Sequence, residues 1–84
     1  MSTLVKNAQA IKLWFDDDNL WVLLADGRQI SIPLSYFPGL LKATPDQREK
    51  YLISGNGEGL HWDDLDEDIS VNGLLLGIGD LTNK

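Results

Sequence analysis

The dipeptide Asp26-Gly27, set between two apolar runs, is the strongest hairpin signal in the chain and constrains its first half most. Together with the turn-forming "DDDN" upstream, it separates the stretches "AIKLWFD", "LWVLLAD" and "RQISIPL". These predict a three-stranded antiparallel meander. The first stretch alternates, with Ile11, Leu13 and Phe15 on one face and Lys12 and Trp14 on the other. The third alternates again, Ile30, Ile32 and Leu34 lying opposite Gln29 and Ser31. The middle stretch is apolar on both faces, as suits a central strand.

The register across "DDDN" has two solutions. A two-residue loop at Asp17-Asp18 places Trp14 opposite Trp21. A three-residue loop that includes Asn19 places Phe15 opposite Trp21, Leu13 opposite Leu23 and Ile11 opposite Ala25, and the Asp26-Gly27 turn adds Ile30 and Ile32 to that face. The second solution gathers the strongest apolar positions on one side. It needs a left-handed residue at the bulge, and asparagine is the best non-glycine choice there. The three-residue loop is therefore the expected one. Trp14, Leu20, Val22 and Leu24 are then left on a second face too apolar to be fully wet, to be covered by the C-terminal tail or by another chain.

The middle of the chain predicts two short helices with a kink near Thr44. "LSYFPGLLKA" repeats Leu34, Phe37, Leu40 and Leu41 at short helical spacing. "TPDQREKY" is a helix start: Thr44 at the cap, Pro45 at the first helical position, Asp46 in the first turn and Gln47 completing a capping box. Beyond it, "YLIS" and "LHWD" predict a hairpin joined by "GNGEG", with Leu52, Leu60 and Trp62 on one face and Ile53 and His61 on the other. "DISVNGLLLG" predicts a short C-terminal helix through Val71, Leu74, Leu75 and Ile78, started at Asp68 or Ser70 and ended at Gly77. The fold class is thus α+β: a three-stranded antiparallel meander, a short helical segment, a β-hairpin and a short C-terminal helix. It forms one small domain over residues 1–84, with its core at about 9–77.

Composition narrows the function. The chain carries seven basic and thirteen acidic residues, a net charge of −6, and its basic residues are scattered. Phosphate backbones repel such a chain, so no direct nucleic-acid binding is expected, and a basic protein partner fits better. There is no cysteine, so neither disulfides nor thiolate chemistry is available. Neither a secretory signal nor an apolar run long enough for a membrane span is visible, which leads to the expectation of a cytoplasmic protein with no membrane contact.

The segment "GLHWDDLDEDIS" resembles a site, with five acids in six positions next to the only histidine. Asp64, Asp66 and Asp68 match the first ligand positions of a calcium-binding loop, but Ile69 and Leu75 stand where its glycine and bidentate glutamate belong. A lone histidine without cysteine does not make a transition-metal site. The glycines of "GNGEG" lead into a strand rather than a helix, so they do not form a dinucleotide cradle. No serine has the setting of a nucleophile, and 84 residues offer little material for a desolvated cleft. The expectation is a protein that is not an enzyme, with no catalytic residue, metal or cofactor. The acids at 66–68 are expected at a helix start, where the dipole favours them.

The pattern "L.V.LADGR…PLSYFPGLLKATPDQREKY", followed by "G.GLHWDDLDEDISVNGLL.G", closely resembles a family of small bacterial domains catalogued as domain of unknown function 2442. The residues that carry the resemblance are Asp26-Gly27, Pro33, Tyr36-Phe37-Pro38, Ala43, Pro45, Gln47-Arg48, Tyr51, and His61 through Gly77. The resemblance implies the α+β order given above and no established enzymatic activity. It also implies an antitoxin-like role for some members, which stand beside a small toxin-like protein, and a helix-turn-helix fusion for others. No such fusion is expected here. Three roles follow as expectations. The first is a non-catalytic interaction module, antitoxin-like by that resemblance, that meets a small basic partner through Trp14, Asp63, Asp64 and Glu67. The second is a small-ligand or divalent-cation sensor using "GNGEG" and the acidic segment. The third is a structural homodimer.

Overall fold

Two hairpin loops decide which face of the first sheet becomes core. In the computed structural model, which describes residues 8–76, strand β1 (Ala10–Phe15) pairs antiparallel with β2 (Asn19–Leu24), and β2 with β3 (Gln29–Pro33). Trp14 lies opposite Trp21, Phe15 opposite Leu20 and Leu13 opposite Val22. The first loop is therefore the two-residue Asp17-Asp18 loop and not the three-residue one. Its turn is held by a side chain. Asp16 Oδ1 accepts the backbone N–H groups of Asp18 (2.9 Å) and Asn19 (2.7 Å), and Oδ2 accepts the indole N–H of Trp21 (2.8 Å). With the carboxylate doing what a backbone carbonyl usually does, no left-handed residue is needed, and Asn19 is an ordinary strand residue.

The second loop departs from the dipeptide reading in the opposite sense. Leu24 N–H donates to Arg28 O (2.8 Å) and Gly27 N–H to Leu24 O (2.9 Å), which closes a three-residue loop, Ala25-Asp26-Gly27. Gly27 sits at φ +94° as the bulge residue, a conformation that glycine adopts without strain. Each loop differs by one residue from expectation, and a one-residue slip exchanges the faces of a strand. Leu20, Val22 and Leu24 are consequently core, together with Leu13 and Ile32, while Trp21 and Leu23 face outward. A bulge between Ala10 and Lys12 completes the rearrangement: it brings Ala10 into the core row and leaves Ile11 58% exposed.

Leu34–Tyr36 form a 3-10 turn that leads to helix α1 (Pro38–Leu41) and then α2 (Pro45–Glu49). The expected capping box is present in both directions, Gln47 N–H to Thr44 Oγ1 (3.1 Å) and Thr44 N–H to Gln47 Oε1 (2.9 Å). Arg48 reaches back to the carbonyls at the end of α1, donating to Leu40 O (2.9 Å) and Leu41 O (3.0 Å). Its guanidinium also lies over the Phe15 ring, 5.8 Å from the centroid. Arg48 thus ties the helical segment to the first sheet.

The second sheet has one strand more than the expected hairpin. Strand β4 (Leu52–Ser54) pairs with β5 (Gly59–Trp62), and β5 with β6 (Glu67–Ser70). The segment expected to open the last helix with its acids is β6. Helix α3 (Val71–Leu75) begins only after Ser70, whose Oγ accepts Gly73 N–H (3.1 Å). The faces of the hairpin also differ from expectation. Ile53 pairs with Leu60 and packs toward the core, whereas Leu52 pairs with His61 and is 54% exposed. Gly77 and Ile78, expected at the end of the last helix, lie outside the described residues.

The two sheets share one core. Leu13, Leu20, Val22 and Leu24 of the first sheet meet Leu60, Trp62 and Ile69 of the second, and Leu34, Phe37, Leu40, Val71 and Leu74 close the ends.

Candidate functional site

Of the four side chains expected to meet a partner, the fold presents three at the surface and buries one. Glu67 alternates inward on β6 with Ile69 and is only 6% exposed, its carboxylate lying against Gly39 at the start of α1. A contact surface therefore does not include it. The reason is the strand: with period two, Asp68 and Ser70 take the outer face and Glu67 cannot.

Asp63 and Asp64 stand in the four-residue turn between β5 and β6, which Asp66 closes in the left-handed region at φ +53°. Asp63 is engaged. His61 Nε2 lies 2.5 Å from Asp63 Oδ1, and His61 Nδ1 lies 2.5 Å from Oδ1 of Asp68, the cross-strand neighbour. Only an imidazolium donates from both nitrogens at once. The hydrogen bond to Asp68, and next that to Asp63, hold the His61 pKa above its ordinary 6.5 against a smaller opposing effect of burial. Asp64 lies 3.9 Å from Lys50 Nζ with both side chains largely exposed, an arrangement that contributes little to stability. Among the described residues, no group of three or more His, Cys, Asp or Glu side chains is gathered as for a metal ion.

The His61 clamp has a definite pH signature. A folded-state pKa above the unfolded value means that its stabilisation is complete below about pH 6.5 and is lost as pH rises through the folded pKa. Melting temperature is therefore expected to decline from about pH 6.5 upward, and His61→Gln is expected to flatten that decline. The ring-proton resonances of His61 should titrate with a midpoint above 6.5; a midpoint at or below that value would remove the clamp.

Trp14 occupies the outer face of the first sheet, where the sequence placed it, but its neighbours there are not those expected. Instead of Leu20, Val22 and Leu24 it has Trp21, stacked on it across the strands with ring planes 6° apart and centroids 6.0 Å apart. Lys12 Nζ stands 5.9 Å from the Trp14 ring centroid. Trp14, Trp21 and Leu23 are half-buried, and Lys12, Gln29 and Ser31 of the same face are exposed. The bond from the Trp21 indole to Asp16 fixes that ring, and this bond is the largest influence lowering the Asp16 pKa, followed by the Asp18 backbone N–H. The neighbouring Asp17 and Asp18 are exposed at the tip of the turn. The result is an aromatic surface with an acidic border. Trp21 is not legible as a surface residue in the sequence, because the expected three-residue loop turns that side chain toward the core. The pairing of Trp14 with Trp21 in the shorter loop was the available signal.

The arrangement contains further residues of the recognisable pattern, and they act inside the fold. The Trp62 indole N–H donates to Arg48 O (3.0 Å) at the end of α2, and the Tyr51 hydroxyl reaches Leu13 O on β1 (3.4 Å). Among the described residues, no helix is long and apolar enough to cross a membrane.

Comparison with known proteins agrees with this fold. No curated protein matches the chain. A crystal structure of a protein of unknown function from Rhodospirillum rubrum is 36% identical, with a TM-score of 0.77 over 88% of this chain and 92% of that one. A solution structure of an uncharacterised protein from Chromobacterium violaceum is 27% identical, with a TM-score of 0.69 over 82% of this chain and 65% of that one. The family described as protein of unknown function, number 2442 among domains of unknown function, matches residues 10–80, and the chain belongs to it.

Proposed function

We propose that the domain is a non-catalytic protein-interaction module of the antitoxin-like kind, acting in the cytoplasm by binding a small basic protein. The observation that supports this reading best is the stacked Trp14–Trp21 pair, held half-exposed on an outer sheet face in a chain of net charge −6. Tryptophans are costly to leave in water and are enriched where protein surfaces meet. An acidic border steers a basic partner to the face and raises the rate of encounter. Asp64 remains a second contact candidate on the turn after β5.

Co-expression with the product of the adjacent open reading frame, followed by affinity capture and sizing of the complex, tests the proposal. A stoichiometric complex and relief of any growth arrest caused by that product are expected. Separate elution of the two proteins, with growth arrest unrelieved, would reject the reading.

A further inference from the structure

We propose that the Trp14–Trp21 face is an arginine-docking site, on which a guanidinium supplied by the partner lies over the indoles while the Asp17-Asp18 tip takes its charge. The inference rests on the interaction-module reading and adds the chemistry of the group recognised. Three observations carry it. The rings are parallel and fixed before any partner arrives, because Trp21 is bonded to Asp16 and stacked on Trp14. The face already accepts a cation: Lys12 stands over Trp14 at 5.9 Å, which leaves the Trp21 side without a basic group of its own strand pair. The acidic tip begins three positions beyond the tryptophans, about 10 Å along the strands, a distance over which its charge still attracts a cation at low salt.

Guanidinium suits this site better than ammonium. It is planar, stacks on indole, is weakly hydrated and binds carboxylate through two parallel N–H bonds. A second copy of this chain is the poorer source, because its exposed arginine is already drawn to a carboxylate of its own turn. The chain has two arginines. Arg28 is paired with Asp26 at 2.8 Å, and Arg48 is committed to the α1 carbonyls. The occupant is therefore an arginine-bearing segment of another protein.

The probe is a pair of short glycine-serine peptides, alike except that one carries two arginines and the other two lysines. Each is titrated into the full chain at low salt while the three indole N–H resonances are followed. The arginine peptide is expected to shift the Trp14 and Trp21 signals, to leave the core Trp62 signal in place, and to bind about fivefold more tightly than the lysine peptide. Trp14→Ser should reduce arginine-peptide binding about tenfold, with an unchanged Trp62 signal showing that the variant is folded. Asp17→Asn with Asp18→Asn should weaken binding and reduce its salt dependence.

Equal affinity for the two peptides, or binding indifferent to Trp14→Ser, would overturn the site. So would a dimer in sedimentation that Trp14→Ser dissolves, since the face would then be covered by a second copy. A complex with the adjacent gene product that survives Trp14→Ser would reject the arginine site and leave the interaction-module reading standing. Selective arginine-peptide binding without such a complex would reject that partner and leave the site standing.

Discussion

Trp62→Ala is expected to cost about 3–5 kcal/mol, the range for truncating a large buried aromatic. A small domain has roughly 5–15 kcal/mol in total, so a large share of its stability would be lost. Trp62 is fully buried and makes three different connections. Its ring meets Phe15 of the first sheet edge-on, with centroids 6.5 Å apart and planes at 66°. Its indole N–H satisfies the Arg48 carbonyl at the end of α2. On β5 it pairs with Glu67 of β6. Alanine leaves a cavity where the two sheets and the helical segment meet, and it leaves a carbonyl without its donor. At about 4–8 °C per kcal/mol for a domain of this size, the melting temperature should fall by more than about 10 °C. Trp62→Phe separates the contributions, because it keeps most of the ring volume and loses the hydrogen bond; about 1–3 kcal/mol is expected for it. Urea unfolding followed by far-UV circular dichroism measures both. An alanine variant within about 1 kcal/mol of the parent would show that this junction does not hold the fold together.

That junction was partly visible in the sequence, and the parts that were not share a physical cause. Features specified by neighbouring residues were legible. The Thr44 capping box, the kink before Pro45 and the antiparallel order of β1 to β3 all follow from residues within a few positions of one another. Register was not legible, because it depended on the inner strand β2, whose sequence "LWVLL" is apolar on both faces and fits either assignment. The choice is made by a carboxylate, Asp16, that replaces a backbone acceptor in one turn, and by a glycine bulge at Gly27 in the other. Neither alters the hydrophobic pattern. The candidate site inherits the same ambiguity. Trp14 was placed on its correct face, Trp21 was placed on the wrong one, and the aromatic stack became visible only with the register.

The reversal at Glu67 has a different origin. An acid-rich run beside a helix reads as a cap, the role acids usually take, whereas here one of those acids is buried. Glu67 and Ile69 point inward while Asp68 and Ser70 point outward, which is a strand pattern with a carboxylate at an inner position. With that strand admitted, His61 and Asp68 fall directly opposite each other, and the histidine clamp follows.

The second large effect is expected at Gly57, in the segment that resembled a nucleotide loop. Gly55, Asn56 and Gly57 all have positive φ (57°, 60° and 92°) and form a tight left-handed turn between β4 and β5. Gly57 is buried against the edge of β1. A Cβ there would stand 2.8 Å from Ala10 O and 3.0 Å from both Ala10 N and Gln9 Cβ. Two of these are backbone atoms of a paired strand, and they cannot swing aside as a side-chain tip would. Gly57→Ala therefore combines the cost of a left-handed alanine, about 1–2 kcal/mol, with overpacking of about 1–3 kcal/mol, for an expected total of roughly 2–5 kcal/mol. Gly55→Ala is the matched control: its φ is also positive, but nothing lies within 4 Å of the added Cβ, so only the conformational cost of about 1–2 kcal/mol is expected. The difference between the two variants, read from denaturant midpoints, isolates the contact between the turn and β1. Equal losses would show that this contact contributes nothing. A larger loss at Gly57 would show that the turn seals this part of the β1 edge, where an exposed row of backbone groups would otherwise invite another strand. The proposed partner would then be directed to the outer face of the sheet, where Trp14 and Trp21 stand.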